Sequence, residues 1–83
     1  MSTIWAVPAS GFRQASRILK FLREERCSKR SLEVRIFTTS RTAPLASRHW
    51  EPRSDLAAVA QEIATYVAEH ESAEAVIIAA DEL

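Results

Sequence analysis

Apolar residues recur at helical spacing in two segments of the chain. Over residues 11 to 26, and again over about 55 to 70, they fall at intervals of three and four, which predicts two amphipathic helices. The two expected buried stripes are Phe12, Ala15, Ile18, Leu19 and Leu22, and Leu56, Val59, Ala60, Ile63 and Val67. Ser10 and Ser54 precede these helices, and a serine oxygen there can accept a hydrogen bond from a first-turn amide. We therefore expect both serines to be N-caps.

Three further segments have the patterns of β-strands. Residues 3 to 8 form a short β-prone run. Residues 32 to 38 alternate between apolar and polar side chains, which predicts a strand with one packed and one open face. Residues 74 to 80 form a continuous apolar run bounded by acids, which predicts a strand covered on at least one face.

The segment between residues 38 and 53 leaves the topology open. It has no strong period, and it is either a long loop or a hairpin whose second strand is residues 45 to 50. With that strand, the element order matches a ferredoxin-like sandwich, in which the third strand is central. Residues 45 to 50 are poor in apolar side chains for such a position. The alternative is a three-stranded βαβαβ sheet with residues 39 to 53 as a functional loop.

Both topologies belong to one class. We expect residues 1–83 to form a single small α/β domain, an α+β two-layer sandwich with two helices packed on a three- or four-stranded sheet. The hydrophobic share of 47% and the charged share of 27% are ordinary for globular proteins. The single cysteine, Cys27, excludes an internal disulfide and fits a reducing cytoplasm.

Neither a membrane span nor a signal peptide is expected, because the chain has no 18-residue apolar run and its start lacks a basic segment. Arginine outnumbers lysine nine to two and asparagine is absent. That bias is typical of a high-GC genome, and we infer a bacterial or phage origin.

The net charge of zero conceals a division of charge between the two halves of the chain. All eleven lysines and arginines lie between Arg13 and Arg53, where only four acids accompany them, giving +7. Residues 54 to 83 contain seven acids and neither lysine nor arginine, giving −7. Such asymmetry indicates either internal pairing or a charged partner.

Two rows of like charge follow from helical spacing. The basic row of the first helix is Arg13, Arg17 and Lys20, and the acidic row of the second helix is Asp55, Glu62 and Glu69. Cations at this spacing repel one another by roughly 0.2–0.5 kcal/mol per pair. Two hypotheses stay open: the rows pair with each other across the helices, or each contacts a partner. Together with Glu71 and Glu74, the acidic row could also imitate a phosphate backbone.

A second group of cations lies around the undecided segment. The candidate partner-binding residues there are Arg35, Arg41, Arg48, His49, Trp50 and Arg53. Arginine forks and aromatic rings hold phosphates and stack on bases, and they also predominate at protein interface hot spots. The sequence does not separate a nucleic acid from a protein as the target.

Catalytic and metal-binding motifs receive little support. The Gly-Phe-Arg turn of "SGFR" (residues 10–13) resembles a fragment of the acylphosphatase loop, which implies an anion held by backbone amides and Arg13. That family's loop is richer in glycine and its catalysis uses an asparagine, whereas this chain has one glycine and no asparagine. Cys27, His49 and His70 lack zinc-ligand spacing. We therefore expect no enzyme activity, no metal and no cofactor, and interpret residues 10–13 as a helix start.

These observations favour a cytoplasmic, non-catalytic binding protein. Our first hypothesis is a bacterial or phage inhibitor or adaptor that docks on a protein or ribonucleoprotein partner. A short, catalytically blank chain from a high-GC genome is similar in these general features to phage-encoded inhibitors of bacterial defence, anti-CRISPR proteins included. The alternative is a module that binds RNA or DNA directly with the basic 35–53 surface. Membrane binding is not expected, because the apolar stripe of the first helix is needed for the core.

Overall fold

A computed structural model describes residues 2 to 81. Its elements, in chain order, are β1 Ser2–Pro8, a 3-10 helix Ala9–Arg13, α1 Ala15–Glu24, a second 3-10 helix Cys27–Lys29, β2 Ser31–Phe37, β3 Ala46–Trp50, α2 Leu56–Ala68 and β4 Ala75–Asp81. Two helices thus pack on a four-stranded antiparallel sheet, and the α+β two-layer class is confirmed. Over the described residues, no helix is long and apolar enough to span a bilayer.

The strands lie in the order β1-β4-β2-β3, and every neighbouring pair is antiparallel. The segment from residue 45 to 50 therefore does contain a strand, and the three-stranded alternative is wrong. β3 is an edge strand, whereas the third strand of a ferredoxin-like sandwich is central, so the topology departs from that arrangement. The edge position agrees with the few apolar residues of β3, since neighbouring strands cover the side chains of an edge strand on one side only and three of its five residues are exposed.

The core lies between the sheet and the two helices. Alternation along β2 and β4 directs one set of side chains to the helices, and these are buried: Leu32, Val34, Ile36, Val76, Ile78 and Ala80. Ile18 and Leu22 of α1 and Val59, Ile63 and Val67 of α2 close the core from the other side. The predicted stripes are confirmed, with Ala15, Leu19 and Leu56 partly buried at their borders.

Both predicted helix starts are corrected by the structure. The first helix is broken at Gln14, whose extended backbone separates the 3-10 helix from α1, and Ser10 is not an N-cap. The second helix is capped by Asp55 instead of Ser54, because the Asp55 carboxylate accepts the Ala58 N–H at 3.3 Å. A carboxylate suits this end of a helix, where the macrodipole is positive.

The second face of the sheet has no helix over it in the part of the chain that the structure describes. The cross-strand rows on this open face run Ile4–Ala79–Glu33–His49 and Ala6–Ile77–Arg35–Ser47. The rows are apolar towards β1 and charged towards β3. The two edges of the sheet therefore differ in chemistry.

Candidate binding groove between β3 and α2

An open groove of about 450 Å³ runs between the edge strand β3 and the exposed side of α2. The residues that line it are Arg48, Ala58, Gln61, Glu62, Thr65, Tyr66 and Glu69. The α2 residues among them recur at intervals of three and four, so one helical stripe forms a whole wall. Arg48 is the contribution of β3. We call this surface the β3–α2 groove.

Arg48 is held at the groove by two aromatic rings. Its guanidinium carbon lies 4.9 Å from the ring centroid of Trp50 and 5.9 Å from that of Tyr66. Alternation along β3 places Arg48 and Trp50 on the same face, the one towards α2. Among the described residues Arg48 has neither an ion pair nor a side-chain hydrogen bond. The stack fixes the guanidinium while its N–H donors remain available.

The rings beneath Arg48 form a column of aromatic contacts. Trp50 meets Tyr66 edge to face at 5.8 Å, and Tyr66 meets His70 in the same way at 5.1 Å. The Nδ1 of His70 lies 2.9 Å from the Tyr66 carbonyl oxygen, so the His70 side chain is packed against the end of α2. Trp50 is only 4% exposed and supports the groove from below.

Burial raises the pKa of the Tyr66 hydroxyl above its ordinary value of 10.0. Glu69 raises this pKa further, and the nearby positive charge of Arg48 lowers it. The phenol therefore stays protonated at neutral pH and can donate a hydrogen bond in the groove. The pKa of Tyr66 responds to both Glu69 and Arg48 because the groove contains charges of both signs close to the phenol.

The acids of α2 have different partners. Glu62 forms an ion pair with Arg53 at one end of the groove, and both side chains are about 40% exposed. Asp55 is occupied as the helix cap. Glu69 is exposed and has no ion pair among the described residues. The acidic row predicted from the sequence is thus divided among three roles, and only Glu69 offers a free carboxylate.

The predicted basic cluster of residues 35 to 53 does not form one surface. Arg48 and Trp50 lie on the helix side of the sheet, whereas Arg35 and His49 lie on the open face. Arg35 pairs with Glu33 at 2.5 Å, and His49 Nδ1 is 3.5 Å from Glu51. Arg41 is exposed in the loop that joins β2 and β3. Neighbouring residues of a strand face opposite ways, so closeness in sequence did not bring these side chains together.

The basic row of the first helix is also divided. Arg13 donates to the carbonyl oxygens of Glu71 and Ala73 at 3.1 and 3.2 Å and more distantly to that of His70. It thereby ties the first 3-10 helix to the turn after α2. Arg17 and Lys20 are exposed on α1. Among residues 2 to 81 no ion pair joins α1 to α2, so the pairing of the two rows, one of the two hypotheses left open, is not observed.

Two features of the structure, one at the groove and one at the β1 edge of the sheet, were not predicted from the sequence. Gln61 and Thr65 line the groove but are ordinary polar residues of an exposed helix face, with no sequence signal. Arg30 binds the edge strand β1, donating to Thr3 Oγ1 at 2.8 Å and to the Ala80 carbonyl oxygen at 3.0 Å. Its acceptors are far away in sequence, so no local pattern announces them.

The one cysteine of the chain is a structural residue. Cys27 is buried, and burial raises the pKa of its thiol, so the reactive thiolate is disfavoured at neutral pH. Over the described residues, no group of three or more histidine, cysteine or acidic side chains could hold a metal ion. No protein-family model matches the chain, and no curated protein matches it either.

Proposed function

We propose that this chain is a non-catalytic binding protein that docks on a protein or ribonucleoprotein partner, as an inhibitor or adaptor, through the β3–α2 groove. The observation that supports this most is the Arg48 guanidinium, stacked on Trp50 and Tyr66 with its N–H donors unused among the described residues. Trp, Tyr and Arg are the residues that dominate interface hot spots. An inhibitor of the phage-encoded kind, anti-CRISPR proteins included, fits the size and composition of the chain.

The expected ligand of Arg48 is a carboxylate of the partner. A guanidinium fork binds a carboxylate through two parallel hydrogen bonds, and such charge-assisted bonds are about twice as strong as neutral ones. Because the stack has already restricted the side chain, little rotamer entropy remains to be lost on binding. Glu69, at the same groove, would receive a basic or hydroxyl group of the same partner.

The charges around the groove favour a protein over a nucleic acid. A phosphate backbone requires several unpaired cations along its path. Arg35 and Arg53 have carboxylate partners instead, and Glu62 and Glu69 line the groove itself. These carboxylates would repel a run of phosphates, whereas a polypeptide of mixed charge could satisfy both signs.

A peptide library displayed on phage and selected against the immobilised protein tests this proposal without a known partner. Selected peptides should carry an acidic residue, and Arg48→Ala should weaken their binding about 10- to 100-fold, the usual effect of losing hydrogen bonds to a charged group. Arg41→Ala is the matched control, since it removes the same charge from an exposed loop outside the groove and should change affinity less than about twofold.

A second measurement separates the nucleic-acid alternative. We expect labelled single-stranded RNA and duplex DNA to show no anisotropy change with the protein at low or moderate salt. Binding that weakens steeply with salt would contradict the proposal and favour the direct nucleic-acid module. Peptides that bind wild-type protein and Arg48→Ala equally well would show that the groove is not the binding site.

A further inference from the structure

Apart from Pro8 at its end, the edge strand β1 lacks the protection that soluble proteins usually give to such strands. Its seven residues, STIWAVP, contain no charge, and they pair without interruption to β4, their one neighbour among the described strands. Ile4 is 65% exposed and is the exposed large hydrophobic residue of the described chain. Edge strands are normally shortened, bulged or charged because their free N–H and C=O groups recruit other strands.

The backbone groups that β1 presents to solvent follow from one hydrogen bond. The Ala9 N–H donates to the Glu74 carbonyl oxygen at 3.1 Å, immediately beyond the strand. Bonded and unbonded positions alternate along an antiparallel ladder. The odd-numbered residues therefore face β4, and Ser2, Ile4, Ala6 and Pro8 direct their backbone groups outward. Pro8, which has no N–H, thus stands where a strand tolerates proline.

We propose that β1 is the dimer interface of this protein and that it pairs antiparallel with β1 of a second copy. A two-fold axis through Trp5 sets Ile4 opposite Ala6 of the second copy and Ser2 opposite its Pro8. Each outward N–H of one copy then donates to an outward C=O of the other. The exception is Pro8, which has no N–H, so one hydrogen bond is missing at each end of the paired strands. On the open face, the apolar rows through Ile4 and Ala6 become continuous across the two sheets.

The helix layer supplies charge complementarity under the same axis. Phe21 of α1 contacts Trp5 edge to face, with ring centroids 5.2 Å apart, so α1 lies over β1 at the axis. Arg17 is one turn before Phe21 and Glu24 is about one turn after it, on the same flank. The axis makes the two copies of α1 antiparallel, which brings Arg17 of each towards Glu24 of the other. Both are exposed and lack ion pairs among the described residues.

The opposite edge explains why assembly ends at two copies. β3 has five residues and includes Arg48 and His49, the kind of short, charged strand that resists edge pairing. A protein with one recruiting edge forms a closed two-fold dimer, whereas two recruiting edges would permit an open filament. The occupant of β1 is therefore a second copy, and the dimer contains one eight-stranded sheet.

Sedimentation equilibrium of the purified full chain over a range of concentrations tests the dimer. Wild-type protein should have twice the mass of one chain, and Ile4→Lys should reduce it to the mass of one. The control, Ser47→Lys, places the same charge on the open face at the other edge and should leave the dimer intact. Circular dichroism establishes that both variants fold, and Ile4→Lys should keep the peptide binding of the groove. Wild-type protein that is monomeric throughout, or Ile4→Lys that stays dimeric, overturns the proposal.

A charge exchange tests the position of the axis. Arg17→Glu and Glu24→Arg should each raise the dimer Kd several-fold, the usual range for exposed pairs that are present twice. The double variant should restore the wild-type Kd, because it re-forms the pair with reversed signs. A double variant that dimerises no better than the single variants contradicts a two-fold axis at Trp5.

Discussion

An arginine lies over a tryptophan at each edge of the sheet, and the two arginines differ in their hydrogen-bond partners. At β1, Arg30 lies 5.6 Å from the ring centroid of Trp5 and donates to Thr3 and to the Ala80 carbonyl oxygen. At β3, Arg48 lies 4.9 Å from the ring centroid of Trp50 and has no such acceptor among the described residues. The residue types are the same in both pairs, and the difference is whether the guanidinium N–H groups have hydrogen-bond acceptors.

In the β1 pair the arginine fixes the strand that carries the tryptophan, whereas in the β3 pair the buried tryptophan fixes the arginine. Trp5 is half-buried on an edge strand, and Arg30 fastens this strand to β4 through its hydrogen bonds. Trp50 is 4% exposed and anchored in the core, and its ring fixes an exposed Arg48. Consequently Arg30 contributes to the stability of the fold, whereas the N–H donors of Arg48 are left for the partner that we propose.

The largest effect is expected from the tryptophans themselves. Trp50→Ala should lower the free energy of unfolding by about 3–5 kcal/mol, since it leaves a large cavity under the groove. Trp5→Ala should cost less at protein concentrations below the dimer Kd, because part of the Trp5 ring is then in contact with water. Urea unfolding followed by circular dichroism measures both. A loss at Trp5 equal to that at Trp50 would contradict the assignment of Trp50 as the core anchor.

Replacing Arg30 should lower the free energy of unfolding more than replacing Arg48, although Arg48 is the arginine proposed to bind a partner. Arg30→Ala removes two hydrogen bonds and a cation–π contact and should lower the free energy of unfolding by roughly 1–2 kcal/mol, moderated by its partial exposure. Arg48→Ala should change it by less than about 0.5 kcal/mol while weakening peptide binding. The same urea titrations check both values. Arg48→Ala as destabilising as Arg30→Ala would mean that both stacks are structural.

Local patterns in the sequence predicted the elements of this fold but not the order of its strands. Period-2 alternation identified β2, and helical spacing identified the buried faces of α1 and α2, because those signals are carried by adjacent residues. Strand order depends on pairing between distant segments, and here β4 inserts between β1 and β2. The polar character of residues 45 to 50 was the one available clue, and it correctly disfavoured a central position.

The candidate site was predictable only in part, for the same physical reason. Arg48 and Trp50 were identified by residue type, and their alternation along β3 places them on one face. Arg13 was assigned to a charged row because a sequence does not show that its acceptors are carbonyl oxygens some 60 residues later. The charge division between the halves suggested ion pairs between the helices, yet several of the cations are satisfied by backbone carbonyls and aromatic rings instead.

The contact between the β2–β3 loop and Glu74 should contribute to stability in a pH-dependent way. Glu74 accepts hydrogen bonds from the side chain and, at 2.6 Å, from the backbone N–H of Thr39 in the β2–β3 loop, and these lower its pKa below 4.5. A depressed carboxyl pKa contributes stability above the unfolded value of about 4.5, and this contribution is lost as the pH falls through the folded pKa. Glu74→Gln should therefore destabilise the protein at about pH 7 and lose its effect towards about pH 3.

Paired urea midpoints across this pH range test the Glu74 contact. Glu71→Gln is the matched control, because it removes a nearby charge whose carboxylate has no hydrogen bond among the described residues. Its difference from wild type should stay small, because this substitution removes no hydrogen bond of the described residues. A Glu74→Gln difference that grows as the pH falls would contradict the assigned direction of the pKa shift.

The smallest expected effect is the most specific to the groove. The chain has a single tyrosine, so the absorbance of tyrosinate reports Tyr66 alone. Because the positive charge of Arg48 lowers the pKa of Tyr66, Arg48→Ala should raise that pKa further, and Glu69→Gln should lower it. Arg30→Ala, which removes the stacked arginine at the other edge, should leave it unchanged. If Arg48→Ala does not move the Tyr66 titration, the guanidinium is not held over the ring in solution, and Arg48 would then have no advantage over any other exposed arginine as a binding residue.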